Sequence, residues 1–206
     1  MRAALAVGAS AVALFAAVRV AAVAGDPVNW GEDAHQVRAA RSALEQAPCD
    51  PARVQALAEL LLSPRDYYGA AKVLDQATDS CDLPPNVHAL ALQIHQQVRD
   101  RRRAIVDATR LIEKMPDDPR FLVARGALHD ADGEPFKAAS DYEEALVRSP
   151  SDVEAYRRLF DVAKRMGRRD FVSALLKWHF DVLADASAAA VPRLVEQAPV
   201  ASYKAR

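Results

Sequence analysis

The sequence predicts an all-α chain built from repeated helix–turn–helix units, and three observations carry that prediction. Pro51, Pro85 and Pro119 stand 34 residues apart, and one further step lands on Val153. A second series, Ala70, Ala104, Ala138 and Val172, keeps the same period inside the first. The composition agrees: 51% of the 206 residues are hydrophobic but only 6% are aromatic, and there are seven glycines. Alanine and leucine dominate, and both lose little side-chain freedom in a helix.

The N-terminal segment stands apart from the repeats. Arg2 precedes an apolar run over residues 3–18, Arg19 interrupts it, and residues 20–24 resume it. Ala22 and Ala24 ahead of Gly25 have the small-x-small form of a signal-peptidase site. Two readings stay open for residues 1–24, an export signal cleaved after Ala24 or an uncleaved membrane anchor. In the second, Arg19 would cost about 2.5–3.5 kcal/mol near the bilayer centre, but it can snorkel near the end of a span. Either reading predicts an exported, periplasmic or otherwise extracytoplasmic protein, with a possible membrane tether through residues 3–24. No cysteine stands at the cleavage position, so a lipoprotein anchor is not expected. Losing Arg2 and Arg19 with the segment moves the formal charge from −1 to −3.

Residues 25–33, with Pro27, Asn29 and Gly31, read as a linker. Residues 34–47 read as a helix stopped by Pro48, so that 34–50 caps the front of the stack. The repeating part is 51–186, in four units: 51–84, 85–118, 119–152 and 153–186. Proline suits the first turn of a helix, where its missing N–H would be unpaired anyway. Asp50, Asp118 and Asp152, each one residue ahead of a unit's first helix, can cap it. Asp66 and Asp100, with Glu134 in the third place, mark the start of each second helix. Breaks fall at Ser63 and Pro64, at Gly133 to Pro135 and at Gly167. Residues 187–206 read as a tail that partly caps the stack through Val191, Leu194 and Val195.

This 34-residue helix–turn–helix unit resembles the tetratricopeptide repeat (TPR). Unit three carries the resemblance best, with Leu122, Gly126, Ala138, Tyr142, Ala145 and Pro150 at the family's spacings. Departures stand at Arg125, where a leucine-like residue is usual, at Leu92 and Phe160, where small residues are usual, and at Asp82 and Ala184, where proline often closes the unit. The resemblance implies a right-handed α-solenoid in which Ala70, Ala104 and Ala138 let paired helices approach closely. It implies a non-catalytic surface for protein partners, the first helix of each unit lining a concave groove. Mapped onto this chain, the partner-binding positions are Gln55, Asn86 and Gln93 in an amide-rich half. They continue through Arg120 to a basic last unit with Arg157, Arg158, Asp161, Lys164 and Arg165. Arg168 and Arg169 extend that charge, and within the helix Asp161 is the one acid near enough to offset it. Family members that clamp a C-terminal carboxylate use a Lys/Asn set where this chain has Gln55, Glu59 and Leu90, so that ligand is not expected.

The resulting expectation is an envelope scaffold or assembly factor that binds a peptide or a helix of a partner. The alternative is a structural subunit packed against a membrane complex through its convex side. A net charge of −1 gives no global attraction to nucleic acid. No Gly-rich phosphate loop, His-Glu-x-x-His or Cys-x-x-Cys is present in the sequence, and no enzyme, cofactor or metal site is expected. His88 and His95 lie seven apart on one helical face, but no third ligand has suitable spacing, and they read as core histidines with hydrogen-bond partners. Asp107 and the pair Glu143 and Glu144 read as solvent-facing. Residues 99–103, four arginines around Asp100, fall at the turn of unit two and read as a solvated turn, with a phosphate or lipid-headgroup contact as the functional reading. Cys49 and Cys81 bracket the first helix pair, whose ends meet, and a disulfide between them is expected in an oxidising compartment.

Overall fold

The computed structural model describes residues 30–63, 65–184 and 191–192, and the described residues hold nine helices and no strand. They are α1 Trp30–Gln46, α2 Pro51–Leu62, α3 Tyr67–Ser80, α4 Pro85–Gln97, α5 Arg101–Lys114, α6 Pro119–Ala131, α7 Pro135–Arg148, α8 Val153–Arg165 and α9 Arg169–Ala184. Each helix packs against the next in the chain, which makes a stack of antiparallel pairs. The segment expected as a signal or anchor lies outside the described residues. So do Leu194 and Val195; Val191 packs against the C-terminal core.

The helix starts follow the expected chemistry with two exceptions. Asp50, Asp118 and Asp152 accept hydrogen bonds from the backbone N–H groups of Ala52, Arg120 and Glu154, and Asp66 and Asp100 accept from Gly69 and Arg103. Glu134 does not cap α7, because its carboxylate accepts from Lys137 at 2.8 Å and faces His129 Nδ1 at 2.7 Å. And α1 opens at Trp30, inside the stretch expected as a linker. A lone glycine such as Gly31 costs a helix only about 1 kcal/mol, too little to stop one whose Val37, Ala40 and Leu44 pack on the core.

Small residues set the spacing inside each pair. Ala70, Ala104 and Ala138 are wholly buried, while Val172 is half-buried. At Gly126 a Cβ would stand 2.6 Å from Cε1 of Tyr142, so the ring packs directly on the α6 backbone. Among the departures, Arg125 reaches Asp141 through two hydrogen bonds of 2.6 and 3.0 Å. Leu92 is buried, Phe160 packs on the C-terminal core, and Asp82 pairs with Lys114. A disulfide joins Cys49 to Cys81 with their Cα atoms 5.5 Å apart. It ties the turn before α2 to the end of α3.

Candidate functional site

The first helices α2, α4, α6 and α8 lie side by side along one face, with direct contacts between α2 and α4 and between α6 and α8. Proline or a capping aspartate starts each of them in the same register, so equivalent positions form rows across the units. In the N-terminal half, Asn86 Nδ2 donates to Gln55 Oε1 at 2.8 Å, and Gln55 Nε2 donates to Glu59 Oε1 at 2.7 Å. Two units are thereby joined by one polar chain. Gln93, two turns along α4 from Asn86, is exposed.

The C-terminal half is less basic in effect than its composition suggested. Glu154, in the first turn of α8, takes hydrogen bonds from both Arg157 (2.8 Å) and Arg158 (2.7 Å). The Arg157 hydrogen bond is the main reason the Glu154 carboxyl lies below its ordinary pKa. Arg157 also stands 4.0 Å from Asp161, and Arg165 donates to Asp130 of α6 at 2.5 Å. Arg120 turns back on its own capping residue, Asp118, at 2.6 Å, although its side chain is 79% exposed. Asp161 is therefore not the one acid set against the cluster. Glu154 sits one turn before Arg157 and Arg158 on the same helical face, and Asp130 comes from the neighbouring helix. Lys164 makes no ion pair among the described residues. Its side chain is exposed.

A second polar assembly was placed wrongly by the sequence reading. Asp107 is buried, with His95 Nδ1 at 2.6 Å from one carboxylate oxygen and His88 Nδ1 at 3.9 Å from the other. Asp75 stands 3.4 Å from His95 Nε2, and Arg103 stands 3.3 Å from Asp75. Burial pushes the Asp107 carboxyl up, but the two histidines outweigh it and hold it below the ordinary value. Asp75 goes the other way, raised chiefly by burial. Glu143 is also buried, and Glu144 is half-buried. His88 and His95 are both buried in the core as expected, and His95 has its hydrogen-bond partner in Asp107, but His88 Nδ1 is buried without a hydrogen bond among the described residues. No group of three metal-ligating side chains occurs among the described residues. The signal for Asp107 was present: Ala104, Asp107, Ala108 and Leu111 occupy one face of α5, at the i, i+3, i+4, i+7 spacing of a buried stripe.

Stacked helix pairs that present one row of first helices define a helical-repeat protein-interaction module. The tetratricopeptide repeat family model matches residues 29–201, and the chain belongs to that family. Among solved structures, MamA is similar at 17% identity over 76% of this chain and 92% of that one, with a TM-score of 0.59. YrrB, described as a TPR protein with an unusual peptide-binding site, is similar at 14% identity over 75% of this chain and 80% of that one, with a TM-score of 0.58. A tetratricopeptide repeat protein from Parabacteroides merdae ATCC 43184 is similar at 16% identity over 78% and 64%, with a TM-score of 0.56. At these identities the likeness carries the fold. No curated protein sequence matches the chain.

Proposed function

We propose that this protein is a non-catalytic scaffold of the cell envelope that holds an extended segment or a helix of a partner protein along the row of its first helices. The observation that carries the reading is the polar chain from Asn86 through Gln55 to Glu59, which registers two units into one continuous strip. Exposed amides and carboxylates spaced along such a strip suit the backbone and polar side chains of a peptide. The peptide-binding site of YrrB, a protein of the same fold, supports the comparison. Lys164, unpaired among the described residues, sets the charge preference of the far end toward an acidic segment. The export pattern of residues 1–24 and the Cys49–Cys81 disulfide both favour an extracytoplasmic, oxidising site of action.

One observation favours the alternative of docking through the outer surface. Leu176 and Phe180 lie one turn apart on α9 and are 39% and 67% exposed. Affinity capture from membranes of the native host separates the two. Capture that survives Leu176→Ser with Phe180→Ser but is lost in Lys164→Glu supports the groove; the reverse supports the outer surface. N-terminal sequencing of the same material tests export. The proposal expects a start at Gly25, or an intact Met1 found in the membrane fraction, and full-length protein confined to the cytosol contradicts it.

A further inference from the structure

The four turns between the helices of each unit share one construction. In each, a residue just past the helix end donates to the carbonyl three back, and the next residue donates to the carbonyl five back: Arg65 to Leu62 and Asp66 to Leu61, then Arg99 to Gln96 and Asp100 to His95. Gly133 and Gly167 repeat the pattern in units three and four. This closure needs a left-handed backbone at its first residue, and glycine is its usual occupant. Here φ is 61° at Arg65, 60° at Arg99, 75° at Gly133 and 70° at Gly167. Two units therefore place a long cationic side chain where the backbone favours none. A non-glycine residue in this conformation is a form of local strain that clusters at functional sites.

The charges around these turns are unevenly balanced. Arg101 pairs with Asp132, and Arg103 pairs with Asp79 at 2.8 Å. The acids are taken up as well: Asp66 and Asp100 cap helices, and Glu134 holds Lys137. Arg65, Arg99 and Arg102 are exposed and make no ion pair among the described residues. Arg99 and Arg102 line an open depression of about 920 Å³ together with Tyr68, His129 and Lys137. The N-termini of α3, α5 and α7 end on the same side, and their dipoles add positive potential there. Arg65 belongs to the first unit and Arg99 and Arg102 to the second, so the uncompensated cations extend beyond one depression, which suits a surface of many anionic groups better than a single phosphate.

The chain also enters the fold at this rim. The C-terminal halves of α1 (Arg41, Leu44, Glu45) and of α3 (Gln76, Ser80) line one cleft, so the two helices run in the same direction. Trp30, at the start of α1, therefore lies at the end of the stack where α3 begins and where Arg65 turns. In the sequence the apolar residues 3–24 precede Trp30. We propose that the turn rim, through Arg65, Arg99 and Arg102, lies against a membrane surface carrying anionic headgroups. The inference rests in part on the tether reading of residues 3–24, which would deliver the rim to that surface. A cation close to an anionic leaflet contributes about fivefold in binding, so three contribute about a hundredfold.

The test uses the full chain with vesicles of phosphatidylcholine alone or with 30 mole per cent phosphatidylglycerol. Vesicle flotation reports attachment, and the rate of phenylglyoxal modification of each arginine, mapped by mass spectrometry, reports the face. The expected result is that anionic vesicles slow modification of Arg65, Arg99 and Arg102 several-fold but leave Arg120 and Arg157 unchanged. High salt should remove the protection. Arg65→Gly with Arg99→Gly, which suits the turn geometry and keeps the fold, should remove it at Arg102. Flotation on both lipids with equal modification everywhere would overturn the rim and leave the tether standing. Protection at the rim without flotation on phosphatidylcholine would support the rim and overturn the tether. Flotation on neither lipid would overturn both. Uniform protection of all arginines would reduce the effect to unspecific charge and overturn the proposal, as would protection that persists in the double variant.

Discussion

Arg99 and Gly133 occupy the same place in successive repeats, both with left-handed backbone, at φ 60° and 75°, and both closing the first helix of their unit. A side chain in this region costs about 1–2 kcal/mol, of which glycine's greater freedom in the unfolded chain returns a part. Arg99→Gly and Arg65→Gly should therefore each raise stability by about 0.5–1 kcal/mol, read from the denaturant midpoint. A loss of stability in both would show that the arginine side chains hold the turns.

Tyr142 on the Gly126 backbone is a contact with no room to spare. Gly126→Ala should cost about 1–3 kcal/mol by overpacking, and Ala138→Leu, at a wholly buried position in the same pair, should cost about as much. Gly133→Ala meets no neighbour and is opposed by its backbone angle alone. Wild-type stability in Gly126→Ala and Ala138→Leu would contradict the close approach of α6 and α7.

The period, the caps and the small packing positions were legible because each is a local matter of one helix turn. The left-handed arginines were not, since no propensity rule places arginine there; stepping back 34 residues from Gly133 to Arg99, and again to Arg65, would have found them. The buried Asp107 was missed for a related reason. Val73, Asp107 and Asp141 are one repeat position and all three are buried, the last two satisfied by His95 and Arg125 of the preceding helix. A carboxylate in an apolar stripe reads as exposed until its partner on another helix is placed. The pairing of Arg157 and Arg158 with Glu154 was within reach, at spacings of three and four on one helix.

The Asp107 cluster predicts a pH signature. Its carboxyl pKa lies below the ordinary 3.8, so its contribution to stability is present above that value and is lost as the pH falls through the folded pKa. Asp75, raised above 3.8, opposes folding when ionised and partly offsets this on acidification. Asp107→Ala should cost about 1–3 kcal/mol at neutral pH, because it leaves His95 Nδ1 buried without a partner. Against Asp107→Asn, the advantage of the wild type should persist at neutral pH and shrink below 3.8. A difference that grows on acidification would contradict the assigned direction.

The Cys49–Cys81 bridge closes a sequence separation of 32 residues. On the chain-entropy account such a loop stabilises by about 3–4 kcal/mol. Reduction, or Cys49→Ser with Cys81→Ser, should lower the thermal midpoint by several degrees and leave the helical content of α4 to α9 in place at low temperature. Two freely reactive thiols in exported protein would remove the bridge from the account.

The row of first helices as a partner-binding strip is most directly tested by site-specific photo-crosslinking in the native host. The probe is placed at Gln93 and at Lys164 on that row, and at Glu113 on α5 and Lys177 on α9 as outer positions, all four exposed. The account predicts that Gln93 and Lys164 crosslink to one and the same partner protein and that Glu113 and Lys177 do not. Crosslinks from Glu113 and Lys177 alone, with none from Gln93 or Lys164, would contradict it.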